Sequence, residues 1–456
     1  MLRETTTKYG RVRGIEAADP RITAYKGIPY AAPPVGKLRW RAPQPPTAWE
    51  GVKECYRFAP ISIQDTPGLG DDLYCREWHV DPDIPMSEDC LYLNVWTPAK
   101  SADEKLPVVV WFFGGALQWG YPSEMEFDGE RVARRGIVFV SVNYRLAALG
   151  FMTHPDLIKD QRDECANFGL LDQHAGLKWV HENIAAFGGD PDNITIAGQS
   201  AGGGSVLSHI AYPGNKGLFN RAIIQSGIVQ KKDGTSLFTP TELDAAAAKG
   251  EEFLSILGVK TIDEARELDA MYIRDKYAQY CGSDFSPAGM MRRFLTVMDE
   301  RFCFEDPYIA IYNGRCNNVP IMAGNTVDEF AEFADETDPD TGRFLSPLEF
   351  AIKDLATGRI SNGIDLPLYY YKLATDIPGD DHPGNFHSVD LWFFLETLAK
   401  CSRPFTGRHY DLARKMCNYW CNFVKTGDPN GKDADGSDMP LWKPYDEKNR
   451  FEMIFT

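Results

Sequence analysis

The stretch Ile194-Thr195-Ile196-Ala197-Gly198-Gln199-Ser200-Ala201-Gly202-Gly203-Gly204-Ser205 decides how this chain is read. The β-branched residues Ile194, Thr195 and Ile196 favour a strand. Gly198-Gln199-Ser200-Ala201-Gly202 then fits G-x-S-x-G. That is the pattern of a nucleophile elbow: a strand stops, the chain turns sharply, and a helix begins. Small residues flank the serine because the strained turn leaves no room for larger ones. Such a turn holds the hydroxyl out at the C-terminal edge of a sheet, with a helix N-terminus behind it that favours developing negative charge. A five-residue pattern with three fixed positions also arises by chance. The rest of the chain must therefore supply a base, an acid and an oxyanion hole.

Working outward, the bulk composition is that of a globular protein. The chain has 456 residues, 43% hydrophobic and 25% charged, an ordinary balance. The 12% aromatic content suits a large core and an apolar pocket. A formal net charge of −17 argues against nucleic acid or an anionic membrane as partner, since both are met by basic patches. Met1-Leu2-Arg3-Glu4-Thr5 lacks the apolar region of a signal peptide. No stretch approaches the ~20 apolar residues of a membrane span. Both observations lead to the expectation of a cytoplasmic protein. The ten cysteines are scattered, with no C-x-x-C pair or zinc-type cluster, so free thiols are expected.

Leu106-Pro107-Val108-Val109-Val110-Trp111-Phe112-Phe113 and Ile137 to Val142 are continuous apolar, β-branched runs. They fit central strands covered on both faces. Residues 169–187 have helical spacing, and further apolar runs follow at Ala222-Ile223-Ile224 and Val319 to Ala323. Strands alternating with helices predict an α/β fold with a central, mostly parallel twisted sheet flanked by helices. Helical insertions are expected at roughly 230–318 and 335–365, over the C-terminal strand ends. Thr239-Pro240-Thr241-Glu242, Thr261-Ile262-Asp263-Glu264 and Ser346-Pro347-Leu348-Glu349 read as three capping boxes. Asp335 to Arg343 and Gly431 to Asp438 read as surface loops. No polar linker divides the chain, so 1–456 is read as one domain.

Several longer strings carry a resemblance: Tyr25 to Gly36, Leu38-Arg39-Trp40-Arg41-Ala42-Pro43, Ser87-Glu88-Asp89-Cys90-Leu91-Tyr92-Leu93-Asn94-Val95, Asn143-Tyr144-Arg145, Asn167 to Gln173, Phe187 to Pro191, and Thr426-Gly427-Asp428-Pro429-Asn430-Gly431. Together they closely resemble the type-B carboxylesterase family. This is the branch of α/β-hydrolases that includes cholinesterases and bacterial carboxylesterases, and the likeness is to an intracellular bacterial-type or fungal-type member. It spans nearly the whole chain and implies an α/β-hydrolase fold.

A serine hydroxyl needs an adjacent base held by a carboxylate. In α/β-hydrolases the chain order is Ser, then Asp or Glu, then His. That order leaves His209, His382, His387 and His409. His209 is too close to the elbow in sequence, and His409 falls in a helical stretch. The family pattern is a histidine followed three residues later by an acid and then an apolar residue. His387, with Asp390 and Leu391, matches it; His382 is the fallback. The resemblance puts the acid at Glu329, after an apolar strand, with Asp328 as competitor. It puts oxyanion-hole donors at Gly115, Ala116 and Ala201. Phe113, Ala116 and Leu117 depart from the family's usual Gly-rich loop, and the Ala116 methyl is expected to narrow the approach. Ser226, in Gln225-Ser226-Gly227, matches a serine that supports the triad acid. Gln199 replaces a glutamate common in the family, which argues against a preference for cationic substrates. The family's first disulfide lacks its partner here, because Ile61 occupies that position; Cys90 could pair only elsewhere, with Cys75 as one option.

The resemblance thus implies hydrolysis of a small-molecule carboxylic ester by a serine nucleophile and water, with no metal or organic cofactor. Short- to medium-chain or aryl esters are the expected substrates. Two other readings stand beside it. One is a non-catalytic binding module of the kind found in adhesion relatives. The other is a lipase, for which the acidic stretch at residues 60–90 supplies no amphipathic lid. Nothing in the sequence addresses the oligomeric state.

Overall fold

The structure is a computed structural model that describes residues 1–160, 164–230, 239–282, 287–330, 337, 346–433 and 436–456. The apolar runs become neighbouring strands of one large sheet. Its strands are Ile15–Glu16 (β1), Thr23–Pro29 (β2), Tyr92–Thr97 (β3), Leu106–Phe112 (β4), Val138–Val142 (β5), Gly189–Gln199 (β6), Arg221–Gln225 (β7), Ile321–Thr326 (β8), Leu368–Leu373 (β9) and Met453–Phe455 (β10). They lie in the order β10-β9-β8-β7-β6-β4-β5-β3-β2-β1. Neighbours from β10 to β5 run parallel. The far edge, β3 to β1, is antiparallel.

The helices that matter for the site are Phe168–Asn183 (α1), Ala201–Ala211 (α2), Leu243–Leu257 (α3), Ile262–Arg266 (α4), Ala270–Cys281 (α5), Pro347–Ser361 (α6), Asp390–Phe394 (α7) and Gly407–Thr426 (α8). They cover both faces of the sheet, which is why the central strands read as unbroken apolar runs rather than alternating ones. Val108, Val110 and Phe112 of β4 pack with Leu177 and Val180 of α1, Val206 of α2 and Ile352 of α6. Val109 and Trp111, pointing the other way, pack with Trp420 and Phe423 of α8. Among the described residues no helix is long and apolar enough to cross a membrane.

One of the three expected capping boxes forms in full. Thr261 accepts from Glu264 N, and the Glu264 side chain accepts from Thr261 N. At Ser346 the hydroxyl accepts from Leu348 N, but Glu349 turns away to Lys353 and Lys372. The box at 239–242 does not form. Thr241–Glu242 pairs instead as a short strand with Val297–Met298, and Thr241 N donates to Thr296 O at 2.9 Å. A distant strand satisfies the backbone that a cap would have served, and α3 begins only at Leu243. Most of Asp335 to Arg343, and part of Gly431 to Asp438, lie outside the described residues. None of the ten cysteines forms a disulfide: Cys90 is buried against Ser62 Oγ at 3.4 Å rather than joined to Cys75.

Four of the family-like strings meet in two ion pairs, Arg145–Asp172, which is fully buried, and Arg39–Glu88, which is partly buried. The Arg145 Nε and Nη2 atoms each lie 2.7 Å from Asp172, and Arg145 N donates to the same carboxylate at 3.0 Å. Arg39 grips Glu88 through Nε at 2.6 Å and Nη2 at 2.7 Å. Its third nitrogen donates to Ala265 O and Leu268 O at the end of α4, so this pair also ties the insertion to the body of the protein. Removing one partner of a buried pair leaves an uncompensated charge and costs about 3–5 kcal/mol. Asp172→Ala is therefore expected to lower the thermal unfolding midpoint by several degrees, measured by circular dichroism; an unchanged midpoint would contradict that cost.

Candidate active site

The elbow is built by close contact between three chain segments. Gly198 ends β6 against the end of β4: a Cβ there would lie 2.7 Å from Phe112 O. A Cβ on Gly202 would lie 2.7 Å from Phe113 O and collide with Phe112 O. The glycines of G-x-S-x-G are therefore required by backbone crowding, not only by the turn. Between them Ser200 adopts φ 56°, ψ −127°, a conformation that an L-residue holds only under constraint. Part of that constraint is the hydrogen bond from Ser200 N to Gln225 O, 2.8 Å.

Ser200 Oγ lies 2.7 Å from His387 Nε2. His387 Nδ1 bonds Glu329 Oε2. A ring nitrogen facing a carboxylate carries the proton, so Nε2 is left to accept from the serine hydroxyl. Glu329 is buried and held from its other side, where Oε1 accepts from Ser226 Oγ at 2.8 Å and from Thr326 N at 2.9 Å. The expected competitor, Asp328, points elsewhere. Its Oδ2 accepts from Asn385 N and Nδ2 at 2.7 and 3.2 Å, so it pins the loop two residues before His387. Tyr74 Oη donates to His387 O at 3.1 Å. Gln199 Nε2 donates to Ser388 Oγ at 2.8 Å and lies 3.4 Å from His387 Nε2. The residue that replaces the family's glutamate thus braces the histidine loop.

The other histidines lie apart from Ser200 Oγ. His209 is buried, stacked on Phe112 at 4.9 Å, with Nε2 on Gln173 Oε1 at 3.0 Å. Burial pushes its imidazole well below the usual range, which leaves it neutral. His409 caps the start of α8, and His382 is exposed in a turn.

The loop after β4 folds tightly back on itself. Gln118 N and Trp119 N both donate to Gly115 O, at 2.8 and 3.0 Å. Gly115 has φ 102°, Ala116 φ 54° and Leu117 φ 61°. Among the described residues none accepts a hydrogen bond from the N–H of Gly115, Ala116 or Ala201. The two non-glycine residues at positive φ need support, and Gln118 provides it. Its Nε2 donates to Ala116 O at 3.3 Å and Phe294 O at 2.9 Å, and its Oε1 accepts from Tyr277 Oη at 2.8 Å. The sequence holds no signal for this clamp, because both partners lie more than a hundred residues away.

Leu117 and Ala201 line a small cavity of about 40 Å³ with Gly227 and Val229. Gln118 and Trp119 line a larger one of about 320 Å³ that neither Ser200 nor His387 touches. The smaller one is not lined by Ser200 or His387 either, but its wall includes Ala201, the residue that follows the serine. Phe113 is core and stacks on Tyr144 at 4.3 Å. Among the described residues no group of His, Cys, Asp and Glu is arranged to hold a metal ion.

A central sheet of this order with a serine turn at the end of β6 defines an α/β-hydrolase. The chain belongs to the carboxylesterase family, whose model matches residues 2–349 and 344–455. It is 32% identical over 490 residues to the para-nitrobenzyl esterase of Bacillus subtilis (strain 168), covering 98% of this chain and 94% of that one. It is 30% identical over 508 residues to the cocaine esterase of Homo sapiens, covering 98% and 86%. A solved PNB esterase matches with a TM-score of 0.83 at 29% identity, over 100% of this chain and 96% of the other. A carboxylesterase of Geobacillus stearothermophilus, EST55, matches with a TM-score of 0.79 at 29% identity, over 99% and 96%. The protein is a carboxylic ester hydrolase.

Gln118→Leu would leave buried polar partners unmet, at about 1–3 kcal/mol. On a nitrophenyl ester it is expected to lower kcat by on the order of ten-fold with a smaller change in KM. Unchanged kinetics would show that the loop holds its shape without the clamp.

Proposed function

We propose that the ester bond is cleaved through an acyl-enzyme on Ser200, with His387 as base and Glu329 as the group that orients it. The observation that carries this reading is the unbroken line from Ser200 Oγ through His387 to Glu329, with 2.7 Å between the serine oxygen and the imidazole. His387 Nε2 takes the serine proton as Oγ attacks the ester carbonyl, then returns it to the leaving alcohol. Water repeats the two steps on the acyl-enzyme, and the acid leaves. The N–H groups of Gly115, Ala116 and Ala201 receive the oxyanion. Glu329 fixes the imidazole tautomer and stabilises the imidazolium, and Ser226 keeps that carboxylate in place. The chemistry draws on no metal or organic cofactor.

The acyl group enters the small cavity beside Leu117 and Ala201. Its size favours short- to medium-chain or compact aryl acyl groups over long ones. The Ala116 methyl, fixed in the left-handed region, narrows the side on which a branched alcohol would crowd the oxyanion. Esters of tertiary alcohols are expected to be poor substrates for that reason.

Ser200→Ala is expected to lower kcat by on the order of 10⁶, as loss of a triad nucleophile does. A fluorophosphonate probe should label Ser200 in the unsubstituted protein. Absence of labelling would return the chain to the class of non-catalytic binding modules. A series of nitrophenyl esters from acetate to laurate should show kcat/KM falling with acyl length; a rise toward laurate would point to a lipase instead.

A further inference from the structure

Asp390, the first residue of α7, follows His387 by three positions and is fully buried. Its Oδ2 accepts from Tyr371 Oη of β9 at 2.6 Å and from Gln225 Nε2 of β7 at 3.2 Å. Its Oδ1 is buried without a hydrogen-bond partner among the described residues. An anion with one oxygen left unsolvated is penalised, so this carboxyl is poised between its charged and neutral forms. Gln225 also serves the serine turn. Its backbone oxygen accepts the Ser200 N–H at 2.8 Å, while Trp420 Nε1 of α8 donates to its side-chain oxygen at 3.3 Å. One residue therefore anchors both that turn and the carboxyl that opens the helix behind the histidine.

We propose that Asp390 is a positioning residue of the reaction centre: it ties the His387 loop to the strand end that holds Ser200, and its charge tunes the His387–Glu329 pair. The inference rests on the assignment of Ser200, His387 and Glu329 above. Burial raises the Asp390 carboxyl to about 6; the hydrogen bond from Tyr371 opposes that rise, and the charge of Glu329 adds to it. Tyr371 is itself held well above the usual phenol range, by burial first and then by Asp390, so it remains a neutral donor. The titratable groups that face Asp390 are Tyr371 from β9, Glu329 from the loop after β8, and His387 from its own loop. The neutral side chains of Gln225 from β7 and, through it, Trp420 from α8 complete the surroundings. Above about pH 6 the ionised carboxyl favours the imidazolium over the imidazole and so opposes the free base. Below it the carboxyl takes a proton and that opposition is lost.

The test is the dependence of kcat/KM on pH, between about pH 5 and pH 8, for a short-chain nitrophenyl ester. The unsubstituted protein, Asp390→Asn and Tyr371→Phe are compared, each with fluorophosphonate labelling of Ser200. Asp390→Asn keeps the shape and an acceptor oxygen but cannot ionise. Its acid limb is expected to move to lower pH by on the order of half a unit, with kcat reduced more than KM is changed. Tyr371→Phe removes the bond that favours the anion, so its limb moves the same way by a smaller amount. Should Asp390→Asn fail to fold, Tyr371→Phe carries the test alone. Acid limbs that coincide with that of the unsubstituted protein, with labelling intact, would overturn the role of Asp390 while leaving the serine mechanism standing. An unlabelled Ser200 in the unsubstituted protein would overturn both.

Discussion

Ser200 at φ 56°, ψ −127° is the constraint on which the rest of the structure depends. Such a conformation costs an L-residue about 1–3 kcal/mol and persists only where the surroundings over-determine it. Here they do. Gly198 and Gly202 let β6 and α2 close on the carbonyls at the end of β4. Gly203 meets the backbone of Gly227, where any side chain would collide. The Ser200 N–H is taken by Gln225, which pairs in register with Gln199 across the β6–β7 ladder. The register of three central strands thus sets the direction of one hydroxyl.

The same strain recurs around that hydroxyl. Ala116, Leu117, Ser226 and Ser388 all hold positive φ, and each belongs to a segment that converges on Ser200. Each is also held by a hydrogen bond, that of Leu117 coming from Ala147 N to its carbonyl oxygen at 2.8 Å. Gln118 clamps Ala116, and Gln199 bonds Ser388. The backbone of Ser226 is fixed by Gly324 O at the end of β8. A rigid sheet carries the strained loops, which is how a fold tolerates conformations that no short peptide would keep. The buried pair Arg145–Asp172 and the partly buried pair Arg39–Glu88 extend this support outward to the antiparallel edge and the helical insertion.

How much of this was legible varies with the range of the force involved. The strands were legible because burial on both faces demands unbroken β-branched runs, and Val108 to Phe112 is such a run. The elbow was legible because crowding at Gly198 and Gly202 acts within two residues of Ser200. Caps were legible only where nothing distant competed. Thr261 kept its box, whereas Thr241 gave its N–H to Thr296, fifty-odd residues away. Gln118 was not legible at all, since its value lies in Phe294 and Tyr277. Asp328 could be weighed only as a rival acid, although it holds the backbone of Asn385.

The sequence by itself determined the fold class and the serine turn. These depend on local sterics and on periodicity, which a few consecutive residues express. The family resemblance pointed to His387 and Glu329, but only the tertiary structure brought Ser200, His387 and Glu329 into one line. It also decided what supports the Ala116 turn and that Gln225 serves Ser200 and Asp390 together. Each of these is a hydrogen bond between residues far apart in the chain, with strength that falls away within an ångström of misplacement. Such a bond exists only after packing has brought its ends together.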